Sequence, residues 1–278
     1  MLLAVLADRL DRLTPKPPVN YYGIHVNHFR LAARLVRRQG RMLMRYYPIC
    51  LRIEGRRCLV VGGGAVAARK ARGLIEAGAE VVVVSPELGA GLQRLHGEGR
   101  VSWVARGYQE GDSQGFFLVM AATGDPTVQG LVRADASRHR SLLNVADVPE
   151  RCDFILPAVV QRGSLSLAIS TSGKSPALAK RLQDELGQWL GPEYALLNEV
   201  MGLIRPHVRR RGWSQPENER LFKGLIEGGI LEIIVRADGP GLIDYLERGL
   251  GQTLPGDLAG QLQGLLAAGS ESPIVKGR

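Results

Sequence analysis

Leu59-Val60-Val61-Gly62-Gly63-Gly64-Ala65-Val66-Ala67 is the stretch that decides the fold. An apolar run stops at three glycines, a helix-compatible segment follows from Ala65 to Ala77, and a second apolar run covers Val81 to Val84. Strand, glycine turn, helix, strand is the order of the first βαβ unit of a dinucleotide-binding fold. In that frame Gly62 turns the chain, Gly64 leaves room for a pyrophosphate against the backbone, and Ala67 lets helix and strand pack closely. The helix start offers unpaired N–H groups and a positive dipole end to phosphates. The ribose-binding acid is expected about 20 residues on, at the end of the second strand. Here Ser85-Pro86-Glu87 brings it two residues late and behind a proline, so the motif leaves NAD versus NADP open.

Composition narrows the class. The chain has 278 residues, 45% hydrophobic and 23% charged, which suits a globular protein of one large or two modest domains. Aromatics make up only 5%, so the core should be aliphatic. The apolar runs are too short to span a bilayer. Cys50, Cys58 and Cys152 are dispersed with no C-x-x-C spacing, which favours free thiols in a reducing cytoplasm and counts against a zinc site. His25, His28, His96, His139 and His207 are equally scattered, so no metal-binding residues are expected. The net charge of +9 invites a nucleic-acid reading, but residues 1–44 hold eight Lys/Arg against two acids and so carry +6 of it. No stacking aromatics accompany that excess, and the nucleic-acid reading loses. A further cluster, Arg205, Arg209, Arg210, Arg211, Arg220 and Lys223, reads either as a solvated helix face or as a landing surface for an anion.

Residues 1–44 read as a basic extension, either disordered or upstream of a true start at Met44. From 45 to 153 strands alternate with helices: strands at 58–61, 81–84, 101–104, 116–121 and 141–145, helices at 65–77, 87–96, 126–138 and, less clearly patterned, 109–114. That argues a Rossmann-like, doubly wound parallel sheet. Residues 154–175 hold two short strands around the turn signal Arg162-Gly163-Ser164. Ser175 and Pro176 then start a helix as N-cap and first residue, with Leu178, Leu182, Leu186 and Leu190 on one core-like stripe. A helical domain is expected over 176–236, and a Gly- and Leu-rich tail over 237–278 with one helix at 241–249 and a frayed end.

Several segments together carry a family resemblance. Tyr47-Pro48-Ile49, then Gly55-Arg56-Arg57 running into the glycine turn, then Arg69-Lys70, resemble the start of the siroheme-synthase dehydrogenase/chelatase module. Ala121-Ala122-Thr123-Gly124-Asp125, Asn144-Val145-Ala146-Asp147-Val148-Pro149 and Ser170-Thr171-Ser172-Gly173-Lys174-Ser175-Pro176 resemble three further segments of it, in the same order. The likeness covers about 45–230. It implies NAD-dependent oxidation of precorrin-2, a tetrapyrrole, to sirohydrochlorin, with ferrous iron as a second substrate in the bifunctional members. It also implies a homodimer with strand exchange at the 154–175 hairpin, and a separate uroporphyrinogen methyltransferase upstream, since the chain ends too soon to hold that domain.

On spacing alone Asp147 reads as an exposed turn residue before Val148-Pro149; the resemblance makes it the catalytic carboxylate, a general base for a macrocycle proton. The expected cofactor contacts are Gly62, Gly64, Ala65 and Val66 at the phosphates, Pro86 and Glu87 beside the adenosine, and Thr123 lining the pocket. The expected substrate contacts are Asn144, Ser170, Thr171, Gly173 and Ser175, with Ser175 also capping its helix and Gly173 also making a turn. Arg162, Lys174 and the 205–223 cluster are candidates for a basic rim. Asp125, followed by Pro126, reads better as a helix cap than as a catalytic group. The competing reading from another class is an NAD-binding regulatory sensor without turnover, which has no use for a carboxylate at Asp147.

Overall fold

The computed structural model describes residues 45–271. The expectations for residues 1–44 lie outside the described residues. Strands β1 (Arg57–Val61), β2 (Glu80–Val84), β3 (Val101–Val104), β4 (Leu118–Ala121) and β5 (Leu142–Val145) form one parallel sheet in the order β3-β2-β1-β4-β5. Helices α1 (Ala65–Glu76), α2 (Ala90–Gly97) and α3 (Pro126–His139) make the connections. Strand alternation divides the core. Cys58 and Val60 of β1 join Ala67, Ala71 and Leu74 of α1 on one face. Leu59 and Val61 join Val132 and Ala136 of α3 on the other. Both faces are covered, which is why the strands are apolar throughout rather than alternating. Gly78, at φ +78° just past α1, donates to Ile75 O at 3.0 Å and closes the helix as its sequence position suggests.

Residues 109–114 are not a helix. Gly111 and Gly115 take φ +94° and +77°, and the amides of Gly111 and Ser113 donate to the Asp135 carboxylate at 3.0 and 3.2 Å rather than to carbonyls of a preceding turn. Tyr108 Oη donates to the same oxygen at 2.5 Å, and Asp135 is 1% exposed. Burial alone would raise the Asp135 carboxyl; the donors from Tyr108, Ser113 and Gly111 overcome it and hold the group below its ordinary value. Asp135→Ala is therefore expected to cost about 3 kcal/mol in denaturant unfolding, because two buried donors and one half-buried donor lose their acceptor. A depressed carboxyl stabilises the fold above the unfolded-state value near pH ~4 and loses that contribution as pH falls through the folded value. Asp135→Asn should flatten this acid limb of the stability–pH curve.

The 154–175 region forms the antiparallel pair β6 (Ala158–Arg162) and β7 (Leu165–Ile169), joined by Gly163 at φ +56° and Ser164. Helices α4 (Pro176–Trp189), α5 (Glu193–Arg209), α6 (Gln215–Glu227) and α7 (Ile230–Val235) follow. The stripe on α4 is not ordinary core: Leu178 is 48% exposed, Leu182 and Leu186 are half-buried, and only Leu190 is buried. Beyond 237 the helix expected at 241–249 is present as α8 (Gly239–Leu250), and where a frayed end is expected the chain instead forms a second helix, α9 (Gly256–Glu271). Leu242, Leu246, Leu250, Leu254, Leu258, Leu262 and Leu266 are buried there against Val200, Ile204 and Val208 of α5. Among the described residues no helix is long and apolar enough to cross a membrane.

Candidate functional site

The sheet order reverses between β1 and β4, and open α/β sheets bind ligands beyond the strand ends at such a point. Gly62 leaves β1 at φ +121°, and a Cβ there would sit 2.6 Å from Ala122 O, so the loops after β1 and β4 touch through a glycine. Gly63 packs on the turn after β2: a Cβ on it would fall 1.9 Å from Glu87 O, and Gly89 N donates to its carbonyl at 2.9 Å. Ser85 Oγ donates to Glu87 O at 2.7 Å and Trp103 Nε1 to Ser85 O at 2.9 Å, which fixes the turn carrying Pro86 and Glu87 beside the glycine loop. Gly64 is the N-cap of α1, has no side-chain cap, and faces open space. The first amides of α1 consequently have no intrahelical partner, and this glycine-lined helix start is shaped for a phosphate. Thr123 follows β4; its Oγ1 accepts from Asp125 N at 3.2 Å. Asp125 caps α3, accepting from Thr127 N and Val128 N.

Beyond α1 an open cleft of about 410 Å³ brings together Val66, Asn144, Asp147, Ser170, Thr171 and Gly173. Gly62, Gly64, Ala65, Pro86, Glu87, Thr123 and Ser175 are outside its lining; Ala65 is the first residue of α1, and Gly62, Gly64, Pro86, Glu87 and Thr123 lie on the loops around the glycine turn. Asp147 stands two residues past β5 at φ +60°, a left-handed conformation that Asp and Asn tolerate better than other side chains. Its loop is tied on both flanks. Val145 N donates to Cys152 Sγ at 3.1 Å, and the thiol reaches Val145 O and Val148 O at 3.2 and 3.3 Å. Leu143 N donates to Asp153 Oδ2 at 2.9 Å. Asn144 is buried; its amide nitrogen donates to Phe154 O at 3.0 Å and its oxygen accepts from Lys70 Nζ at 2.6 Å. Burial holds the Lys70 ammonium below the usual lysine value, Arg69 adds to this, and Cys152 and Asp147 oppose it.

On the far wall, Ser175 Oγ caps α4 by accepting from Leu178 N at 3.2 Å, and Thr171 Oγ1 accepts from Ser175 N at 3.2 Å. Ser170 Oγ accepts from Ser172 N at 3.1 Å, and Gly173 turns the loop at φ +78°. Arg162 is no free rim cation: it donates to Leu190 O and Gly187 O at 2.7 and 2.6 Å and closes the end of α4. The 205–223 cluster lies on α5 and α6 and the segment between them, away from the cleft lining. Lys70 and Cys152 were absent from the expected site. Lys70 was findable, since it lies four residues from Val66 on the same helix face; Cys152 joins only through tertiary contacts. Among the described residues no three His, Cys, Asp or Glu side chains lie together as a metal site.

This sheet order, glycine turn and open helix start define a Rossmann-type dinucleotide-binding protein. Residues 49–158 match the family model described as "Putative NAD(P)-binding", and residues 162–188 match "Sirohaem biosynthesis protein central". Siroheme synthase 3 of Aeromonas hydrophila subsp. hydrophila is 38% identical over 183 residues, covering 66% of this chain and 39% of that protein. The siroheme synthase of Photorhabdus laumondii subsp. laumondii is 35% identical over 231 residues, covering 83% of this chain and 48% of that protein. The solved structure of SirC, precorrin-2 dehydrogenase, superposes with a TM-score of 0.61 at 28% identity, over 74% of this chain and 100% of SirC. The chain is a relative of the siroheme synthases, with an NAD(P)-binding match and a sirohaem central match one after the other in its sequence. It spans less than half the length of these two curated relatives.

Proposed function

We propose that this protein oxidises precorrin-2 to sirohydrochlorin with NAD as acceptor. The observation that carries the reading is the position of Asp147, at the carboxyl end of β5 and in one cleft with Val66 of the glycine-turn helix. Gly62, Gly64, Ala65 and Val66 would hold the pyrophosphate, and Pro86, Glu87 and Thr123 would flank the rest of the dinucleotide. The bound nicotinamide supplies a two-electron hydride acceptor. Oxidation of precorrin-2 releases one hydride and one proton. Asp147 takes the proton from the macrocycle and returns it to solvent through the open cleft. Lys70 and Asn144 are joined on one side of the site, Ser170, Thr171 and Gly173 line it as well, and Ser175 stands behind them as the cap of α4.

The active form in this reading is a homodimer. Leu156, Val159, Leu178 and Trp189 are 54, 40, 48 and 60% exposed on the hairpin and α4, an apolar face suited to a second copy of the chain. The reaction runs in the cytoplasm, consistent with the unpaired Cys50, Cys58 and Cys152. A separate methyltransferase would supply the substrate, and ferrous iron would be the second substrate of a bifunctional enzyme. The test is anaerobic incubation with precorrin-2 made in situ and either NAD or NADP, followed by absorbance. Sirohydrochlorin forming with NAD is the expected result; no oxidation with either cofactor would overturn the reading. Ferrous iron added to the same cuvette then tests insertion, through loss of the sirohydrochlorin spectrum beyond the rate without enzyme.

A further inference from the structure

The cleft is electrostatically lopsided. Its lining holds one carboxylate, Asp147, against Arg69, Lys70 and Lys180. Lys180 is already paired with Asp184 at 2.7 Å. Arg69 and Lys70 form no ion pair with a carboxylate among the described residues; the hydrogen bond of Lys70 goes to the neutral Asn144 oxygen. That amide cannot swing away, because its nitrogen is held by Phe154 O at 3.0 Å. An ammonium carries three donors, so a half-buried lysine is fixed in place with charge and hydrogen-bonding capacity left over. A second cation beside it adds to the cost of keeping it there. Partly buried charges are normally paired; Asp147 acts on Lys70 only from a distance, without an ion pair, and the contacting anion is one that a ligand would bring.

We propose that Lys70, with Arg69 beside it, anchors a carboxylate of the bound substrate, and that Asn144 serves to aim Lys70 rather than to touch the substrate first. The inference rests on the tetrapyrrole reading above, since that substrate is a polycarboxylate. It assigns the wall formed by α1 two tasks: the helix start faces the dinucleotide, and the next turn faces an acid group of the macrocycle. Asp147 then meets a substrate edge whose position is set from α1, across the cleft from the Ser170–Gly173 loop.

The test uses the full chain and steady-state kinetics with NAD. Lys70→Met keeps the stem and the helix propensity but removes the charge. It should raise KM for precorrin-2 by about tenfold or more, as loss of a charge-assisted hydrogen bond does, while kcat and the Kd for NAD stay near the wild-type values. Lys70→Arg should recover most of the loss, and Arg69→Met should show a smaller rise in KM. An unchanged KM in Lys70→Met would overturn the proposal, and so would a fall in kcat at constant KM, which would mean that Lys70 acts only through Asn144. Uroporphyrin, a polycarboxylate tetrapyrrole, separates this test from the parent reading. If the wild type binds it and Lys70→Met binds it at least about tenfold more weakly, the anchor stands even were precorrin-2 not oxidised. Equal binding by the two proteins would remove the anchor.

Discussion

Asp147→Asn is expected to leave the protein folded and able to bind NAD while slowing precorrin-2 oxidation by about 10²- to 10⁴-fold, the range for losing a positioned general base. Asparagine is the right replacement for a backbone reason. Position 147 sits at φ +60°, where Asp and Asn are the tolerated non-glycine residues. Alanine there would add about 1–2 kcal/mol of strain to a loop held by Cys152 and Asp153, and would mix a folding effect with a chemical one. Asparagine keeps shape and conformation and removes only the ability to take a proton. Stopped-flow absorbance on the loaded enzyme checks it; wild-type turnover in the variant would refute the role of Asp147.

Gly64→Asp should have an equally large effect on the other ligand and almost none on the fold. A Cβ at Gly64 meets nothing within 4 Å, and the residue is an N-cap at φ −80° and ψ −173°. Aspartate is among the best N-cap residues, so thermal stability should hold or rise by up to about 1 kcal/mol. Its carboxylate would then occupy the amides meant for the pyrophosphate and repel the incoming charge. At about 4 Å and an effective dielectric of about 20, that repulsion is worth some 4 kcal/mol, so NAD affinity should fall by about 10²- to 10³-fold. Calorimetric titration reads it directly. A stable protein with unchanged affinity would remove the phosphates from this helix start. Gly64→Ala, uncharged and equally free of clash, separates charge from bulk and should lose far less.

The parallel sheet was legible because its information is local: Val81–Val84 is a buried run, and Gly62 and Gly78 each mark a turn that no other residue makes cheaply. What escaped is non-local. Nothing between Gln109 and Gln114 says that the amides of Gly111 and Ser113 belong to Asp135, more than twenty residues on. The end of the chain misled through its glycines, each costing about 1 kcal/mol in a helix by propensity. Yet a Cβ on Gly249 would lie 2.6 Å from the Leu225 side chain, and one on Gly269 would lie 2.8 Å from Leu196. These glycines permit close helix packing rather than break helices, and Leu254, Leu258, Leu262 and Leu266 at intervals of four were the better guide. In the site, only the family resemblance marks Asp147 as catalytic, since its spacing alone suits an exposed turn. In sequence Lys70 stands only as part of the Arg69-Lys70 pair, with no role, because its burial and its bond to Asn144 exist only once α1 lies against β5.

The most direct test of the account is the stoichiometry of a single anaerobic reaction, with sirohydrochlorin and NADH followed together after the protein is mixed with precorrin-2 and NAD. Equal amounts of both, rising at one rate that Asp147→Asn abolishes, are the predicted result. A protein that binds NAD and yet forms no NADH as precorrin-2 is supplied would contradict it and favour a sensor of the dinucleotide.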